Sequence, residues 1–122
     1  MKEKWHHFRK GYYEVSNFGR VRRAKPGINT WKGRLLKFDC DSKGYPHVTT
    51  FVKNVKKRHA IHVLVARKFI GPIPSGMEVN HKDLNKGNPR FDNLEYLTPE
   101  QNMQHARANG VKFGRKRKRK EV

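Results

Sequence analysis

A chain of 122 residues with 34% hydrophobic content holds one small domain or two subdomains, and the core it can bury is thin. Its 29 Lys and Arg against 10 Asp and Glu leave a net charge of +19, far beyond the needs of solubility, and this points to a polyanionic partner, nucleic acid before an anionic membrane. No apolar run approaches the roughly 18 residues of a membrane span, and a single cysteine, Cys40, excludes an internal disulfide and the paired-cysteine zinc sites.

The N-terminal "MKEKWHHFRK" has no apolar signal core, which with the lone cysteine suits a reducing, cytosol-like compartment. Lys10 to Arg23 reads as two short strands around the turn Ser16-Asn17-Phe18-Gly19. Ala24 to Gly33 is a loop, Arg34 to Phe38 a third strand, Asp39 to Gly44 a turn, and Tyr45 to Val52 a fourth strand rich in β-branched residues. Asn54 to Arg58 reads as a tight basic connection. The period then changes. Ile61, Leu64, Val65 and Phe69 form one helical stripe that Gly71-Pro72 ends.

Met77 to His81 reads as a strand, Lys82 to Asp92 as a polar loop, and Leu94 to Leu97 as the returning strand. Thr98, Pro99 and Gln101 have the chemistry of an N-cap, an N1 residue and a capping-box partner, and Gly110 suits the position that ends the helix. The tail "GRKRKRKEV" reads as disordered: a solubilising end, a nuclear-import signal or, the best fit to the rest of the chain, a basic arm that grips phosphate.

Chemistry concentrates in "VNHKDLNKGNPRFDNLEYLTPEQNMQHA", Val79 to Ala106. His81 ends a strand, and Asn102 and His105 share a helix face three residues apart. Asn80 neighbours His81, so the two side chains start on opposite faces of the strand. A neutral imidazole can take a proton from water, and a hard divalent ion accepts amide oxygens as well as carboxylates. That set suits one-metal phosphodiester hydrolysis. Each residue also has a plainer reading: His81 as a surface or phosphate contact, Asn85 and Asn88 as turn residues, Asn102 as an exposed helix residue, and His105 packed beneath Met103 or the hairpin. His62 reads as a structural hydrogen-bonder, and His6, His7, His47 and His59 as DNA-facing or solvated residues.

The same stretch resembles the HNH endonuclease motif of phage and intron homing endonucleases. Trp5, Gly11-Tyr12, Val15-Ser16-Asn17, Gly19-Arg20-Val21 and His62-Val63-Leu64-Val65-Ala66 resemble the NUMOD-type DNA-binding module that often precedes it. The resemblance covers about residues 5 to 109. It implies an α+β chain: a small antiparallel sheet plus helix, then a ββα-metal (His-Me finger) unit around one divalent ion, Mg²⁺ or Mn²⁺. The expected division is a DNA-binding module at 1–72, the nuclease motif at 73–110 and the basic tail at 111–122.

Carried over by motif, His81 is the general base, and Asn93 orients the hairpin loop and the His81 imidazole. The metal ligands are Asn80 on the strand and, on the helix, Asn102 or His105. Some members of the family carry Asp where Asn80 stands, so either metal affinity is lower here or Asp83, Asp92 or a DNA phosphate supplies the negative charge. Arg20, Arg22, Arg23, Lys32, Arg34, Lys37, Lys43, Lys53, Lys56, Lys57, Arg58 and Arg107 are the expected DNA contacts, most of them to phosphate.

These readings converge on a metal-dependent endonuclease of phage or mobile-element type, a monomer acting on double-stranded DNA in the cytoplasm of a host cell, with no membrane partner. Two rivals stand beside it: an HNH-like DNA-binding protein with weak or lost chemistry, and a basic RNA- or ribosome-associated protein.

Overall fold

The first sheet is set by the alternation of buried Tyr13 and Val15 with the half-buried Glu14 between them. In this computed structural model, which describes residues 1–110, strands β1 (Trp5–Phe8), β2 (Tyr13–Ser16) and β3 (Val21–Arg23) form an antiparallel meander. A second meander joins β4 (Asp39–Cys40), β5 (Pro46–Val52) and β6 (Val55–Ala60). Helix α1 (Ile61–Phe69) follows directly. The hairpin β7 (Glu78–His81) and β8 (Leu94–Leu97) comes next, with one 3-10 turn at Phe91–Asn93, and helix α2 (Pro99–Ala108) closes the described chain.

Several elements differ from the sequence reading. β1 was not anticipated, because its His-rich sequence carries no apolar alternation. The stretch 34–38 is not a strand. It runs beside β3 through Arg23 N–H to Arg34 O (2.9 Å), Leu36 N–H to Val21 O (2.8 Å) and a bridge, Arg22 to Leu35, and among the described residues no strand flanks its outer side. Asp39 and Cys40 pair with β5, so the turn begins only at Asp41, whose Oδ1 accepts the N–H groups of Lys43 and Tyr45. The basic connection is an edge strand, β6. Lys53 and Asn54 both take positive φ, as a two-residue hairpin turn requires, and the strand pairs with β5 from Val52–Val55 to His47–Ala60. Its lysines guard an exposed edge, which hides the strand from a hydrophobic pattern.

α1 packs against β2, β5, β6, β7 and β8. Its Ile61, Val65 and Ala66 join Phe8, Tyr13, Val15, Val21, Val48 and Leu94 in one buried cluster, so the core runs continuously from the first sheet to the β7–β8 hairpin. The Val-Ser-Asn turn ties the two ends further. Ser16 Oγ accepts the N–H groups of Phe18 and Arg20, Asn17 Oδ1 accepts Lys4 N–H, and the Asn17 carbonyl accepts Phe91 N–H at 3.0 Å. α2 begins as the sequence indicates, with a complete capping box between Thr98 and Gln101, and Gly110 takes φ 91° just past its C-cap. The basic tail lies outside the described residues.

Gly19 sits at φ 90°, and a Cβ built there would collide with Pro89 Cγ across the junction between the first sheet and the hairpin loop. Gly19→Ala combines a left-handed backbone with that clash. It should cost about 2 kcal/mol or more, read as a lower urea midpoint with an unchanged slope.

Candidate active site

The site is built on the β7–β8 hairpin. Antiparallel register places Glu78 opposite Leu97, Asn80 opposite Glu95 and His81 opposite Leu94. Side chains two apart on a strand share a face, as do direct cross-strand partners. Glu78, Asn80 and Glu95 therefore lie on one face of the hairpin. Asn80 Nδ2 donates to Glu95 Oε2 at 2.9 Å, and α2 delivers Asn102, whose Nδ2 donates to Glu78 Oε1. Of the two polar atoms of an asparagine side chain, only the amide nitrogen can donate to a carboxylate. Each glutamate thus fixes the rotation of its asparagine and leaves the amide Oδ1 on the side away from the bond.

His81 takes the other direction. It is 4% exposed, its ring lies 5.1 Å from that of His62 and 5.7 Å from that of Tyr45, and His62 stacks on Tyr45 at 4.8 Å. Burial lowers its pKa below the usual imidazole value, while nearby Asp83 pulls it up and Lys86 pushes it down. The imidazole is therefore neutral at neutral pH. Its Nε2 is buried with no hydrogen-bond partner among the described residues, as is Nδ1 of His62. Buried polar atoms are seldom left this way outside functional sites.

Asn93 organises the loop. Its Oδ1 accepts Asp83 N–H at 3.1 Å, and its Nδ2 donates to Asp83 Oδ1 at 2.9 Å and to the Asn88 carbonyl at 3.0 Å. Asp83 in turn accepts the Asn85 N–H and the Asn88 amide. These bonds hold its carboxyl below the usual range, the Asn88 contact most strongly. Asn93 makes no side-chain hydrogen bond to His81; it acts on the strand end, where its carbonyl accepts Lys82 N–H at 2.7 Å. His105 Nε2 donates to the Lys82 carbonyl at 3.1 Å, so it clamps α2 to the residue after His81. Asn80, Asn102 and the two glutamates are thus brought together, and His105 and Asn93 brace the strand end.

Among the described residues, no group of three or more His, Cys, Asp and Glu could hold a metal ion. The donor set here is two amide oxygens with two carboxylates alongside, all hard oxygen donors, which suits Mg²⁺ or Mn²⁺ and not a thiolate-seeking metal. Glu78 and Glu95 were not anticipated as site residues, although Glu78 shares the face of Asn80 at a two-residue spacing.

The expected DNA contacts fall into two groups. Arg20 is ion-paired with Glu3 and Arg22 with Glu14 (2.8 Å), both near the Trp5 ring, and Arg58 pairs with Asp39 at 2.8 Å. These three carry ion pairs within the chain, although Arg20 and Arg58 remain exposed. Lys32, Arg34, Lys37, Lys43, Lys53, Lys56, Lys57 and Arg107 are exposed, and Arg23 is half-buried with Nη1 on the Tyr13 hydroxyl. Of the other histidines, His47, on the Tyr45 carbonyl, and His59, against Phe8 and the Thr50 hydroxyl, are half-buried. His6, beside Phe69, and His7, beside the Glu14 carboxylate, are exposed.

Residues 59–104 match a family model described as HNH endonuclease, and residues 3–50 match one described as the NUMOD4 motif. An uncharacterized HNH endonuclease of Acanthamoeba polyphaga mimivirus is 42% identical over 100 residues, 82% of this chain and 28% of the relative. The DNA endonuclease I-HmuI of Bacillus phage SP01 is 33% identical over 101 residues, 83% of this chain and 55% of the relative. A solved structure of DNA binding and cleavage by the HNH homing endonuclease I-HmuI aligns with a TM-score of 0.80 at 29% identity, covering 95% of this chain and 64% of that one. The small antiparallel sheets with helices are the fold of that enzyme, as the α+β reading expects. The chain spans about half the length, or less, of these curated relatives.

Burial, reinforced by His81 and His47, lowers the His62 pKa from 6.5 to about 4. Between those values the unfolded chain binds more protons than the folded one, so stability is full above pH 6.5 and falls as the pH drops toward 4. Thermal melts across that window should show the decline, and His62→Phe, which keeps a ring on Tyr45, should flatten it.

Proposed function

The chain belongs to the HNH endonuclease family and carries a NUMOD4 motif ahead of its nuclease segment, and from that premise we propose that it hydrolyses phosphodiester bonds in duplex DNA with a bound divalent ion. The observation that carries this reading is the buried, neutral His81, with an unpartnered Nε2, at the end of the strand that bears Asn80.

In this reading, His81 takes the proton from the attacking water. A neutral imidazole is the form that can do so, and burial supplies that form. Asn80 and Asn102 present amide oxygens to the ion, and Glu78 and Glu95 hold those amides in rotation and add the negative charge that a neutral Asn80 lacks. When bound, the ion polarises the phosphate and offsets charge on the departing oxygen. Asn93 and His105 keep the strand end in place by their bonds to Asp83 and to the Lys82 carbonyl. The exposed lysines and arginines hold the duplex by its phosphates.

One such site per chain supports single-strand nicking by a monomer, and the similarity to phage enzymes supports action in the cytoplasm of an infected host. A second reading rests on Asn80. Its amide binds a cation less tightly than a carboxylate does, and an HNH protein that binds DNA without cutting it would tolerate that.

Supercoiled plasmid incubated with the protein and Mg²⁺ or Mn²⁺ tests both readings. The proposal expects conversion to open circle, lost with EDTA and reduced at least ~100-fold in His81→Ala, the usual scale for loss of a general base. A gel shift with no cleavage by the wild type on plasmid or on genomic DNA favours the non-cutting reading.

A further inference from the structure

The geometry assigns Tyr45 as a positioning residue for the His81 imidazole, supplied to the site from outside the segment that matches the nuclease model. Its role rests on the proposed hydrolysis, in which His81 is the base.

A histidine ring needs something to aim it. Rotation about the bond between ring and Cβ is broad, so torsional preference does not decide where the nitrogens point. A hydrogen bond to one ring nitrogen commonly decides it. Here Nε2 of His81 has no partner among the described residues, and the Asn93 side chain is bonded to Asp83 and to the Asn88 carbonyl. Ring packing takes the place of that bond. The His81 ring lies 5.7 Å from the Tyr45 ring and 5.1 Å from the His62 ring, and Tyr45 stacks on His62 at 4.8 Å with the planes 29° apart. Rings packed in a closed triangle leave the imidazole little room to turn. Rotation would drive its edge into one neighbour or open a gap beside the other.

Tyr45 is itself held from two directions. Its N–H donates to Asp41 Oδ1 at 3.0 Å and its carbonyl meets His47 Nδ1 at 2.9 Å, which fixes the turn between β4 and β5 that presents the ring. From the hairpin loop, Lys86 Nζ lies 5.2 Å over the Tyr45 ring and donates to the Lys43 carbonyl at 3.0 Å. The turn and the loop that follows His81 are thus strapped together at Tyr45. Tyr45 belongs to residues 3–50, which match the NUMOD4 motif, whereas His62 and His81 belong to residues 59–104. The base is therefore aimed in part by the other segment. Plain core packing would need only apolar bulk at position 45, and positioning needs a flat face.

The test compares Tyr45→Phe, which keeps the ring, with Tyr45→Leu, which keeps apolar bulk without one. Carbon-13 relaxation of histidine-labelled protein, without DNA or metal, measures how freely the His81 ring moves, its signal being the one lost in His81→Ala. Single-turnover cleavage at saturating DNA and DNA affinity are measured beside it. Wild type and Tyr45→Phe should show a rigid His81 ring, with an order parameter near ~0.85, and Tyr45→Leu a mobile one, below ~0.6. Tyr45→Leu should cut about 10-fold to 100-fold more slowly with unchanged DNA affinity, and Tyr45→Phe within about threefold of wild type. Circular dichroism melts check folding. If Tyr45→Leu does not fold, Asp41→Ala, which loosens the turn and keeps all the rings, must raise the mobility of His81 and slow cutting in its place. A rigid His81 ring in the folded variant overturns the assignment. So does an unchanged cleavage rate, a loss of rate that tracks a loss of DNA affinity, or a Tyr45→Phe loss as large as that of Tyr45→Leu. If wild type cuts no DNA with Mg²⁺ or Mn²⁺, the proposed hydrolysis fails first and takes this role with it, whatever the ring mobility shows.

Discussion

Burial of one short helix holds this molecule together. Ile61, Val65 and Ala66 are nearly inaccessible, and they meet Val15 and Val48 from the two sheets and Leu94 from the hairpin. Each of the Ile, Val and Leu side chains contributes roughly 1.5–3 kcal/mol on burial, and the chain has few of them to set against the self-repulsion of its +19 charge. The same helix carries His62 in its first turn, and the His62 ring lies beside His81. The packing that stabilises the fold thus also walls the imidazole away from bulk water and holds it neutral.

On the other face of the hairpin, acceptors and donors are paired so that no amide is left to choose its own rotation. Glu95 holds Asn80, and Glu78 holds Asn102. Adjacent strand residues point to opposite faces, so imidazole and amide occupy different environments: an aromatic, buried one for His81 and a polar one rich in carboxylate for Asn80. The bonds of Asn93 and His105 at Lys82 and Asp83 fix the point where these environments meet.

Where local chemistry determines structure, the sequence was readable. The Thr98 capping box, the stripe of α1 and the returning strand Leu94–Leu97 each follow from residues within a few positions of one another. β6 was missed because an exposed edge strand is specified by its turn, Lys53-Asn54, and its lysine-rich sequence resembles a loop. Residues 34–38 look like a strand because Leu35, Leu36 and Phe38 are apolar. Two of the three face outward, and among the described residues no strand lies on the segment's far side. Glu78 and Glu95 escaped notice because their place depends on cross-strand register, which appears only once the hairpin is formed.

The central claim is that Asn80 and Asn102, oriented and charge-supported by Glu95 and Glu78, hold a divalent ion in the folded chain. Titration of Mn²⁺ followed by the loss of its free electron paramagnetic resonance signal measures this without DNA and without cleavage. The account predicts one tight equivalent for wild type, loss of that equivalent in Asn102→Ala, and weaker binding in Glu78→Gln/Glu95→Gln with the fold intact by circular dichroism. Equal Mn²⁺ binding by wild type and the folded Asn102→Ala variant would contradict it.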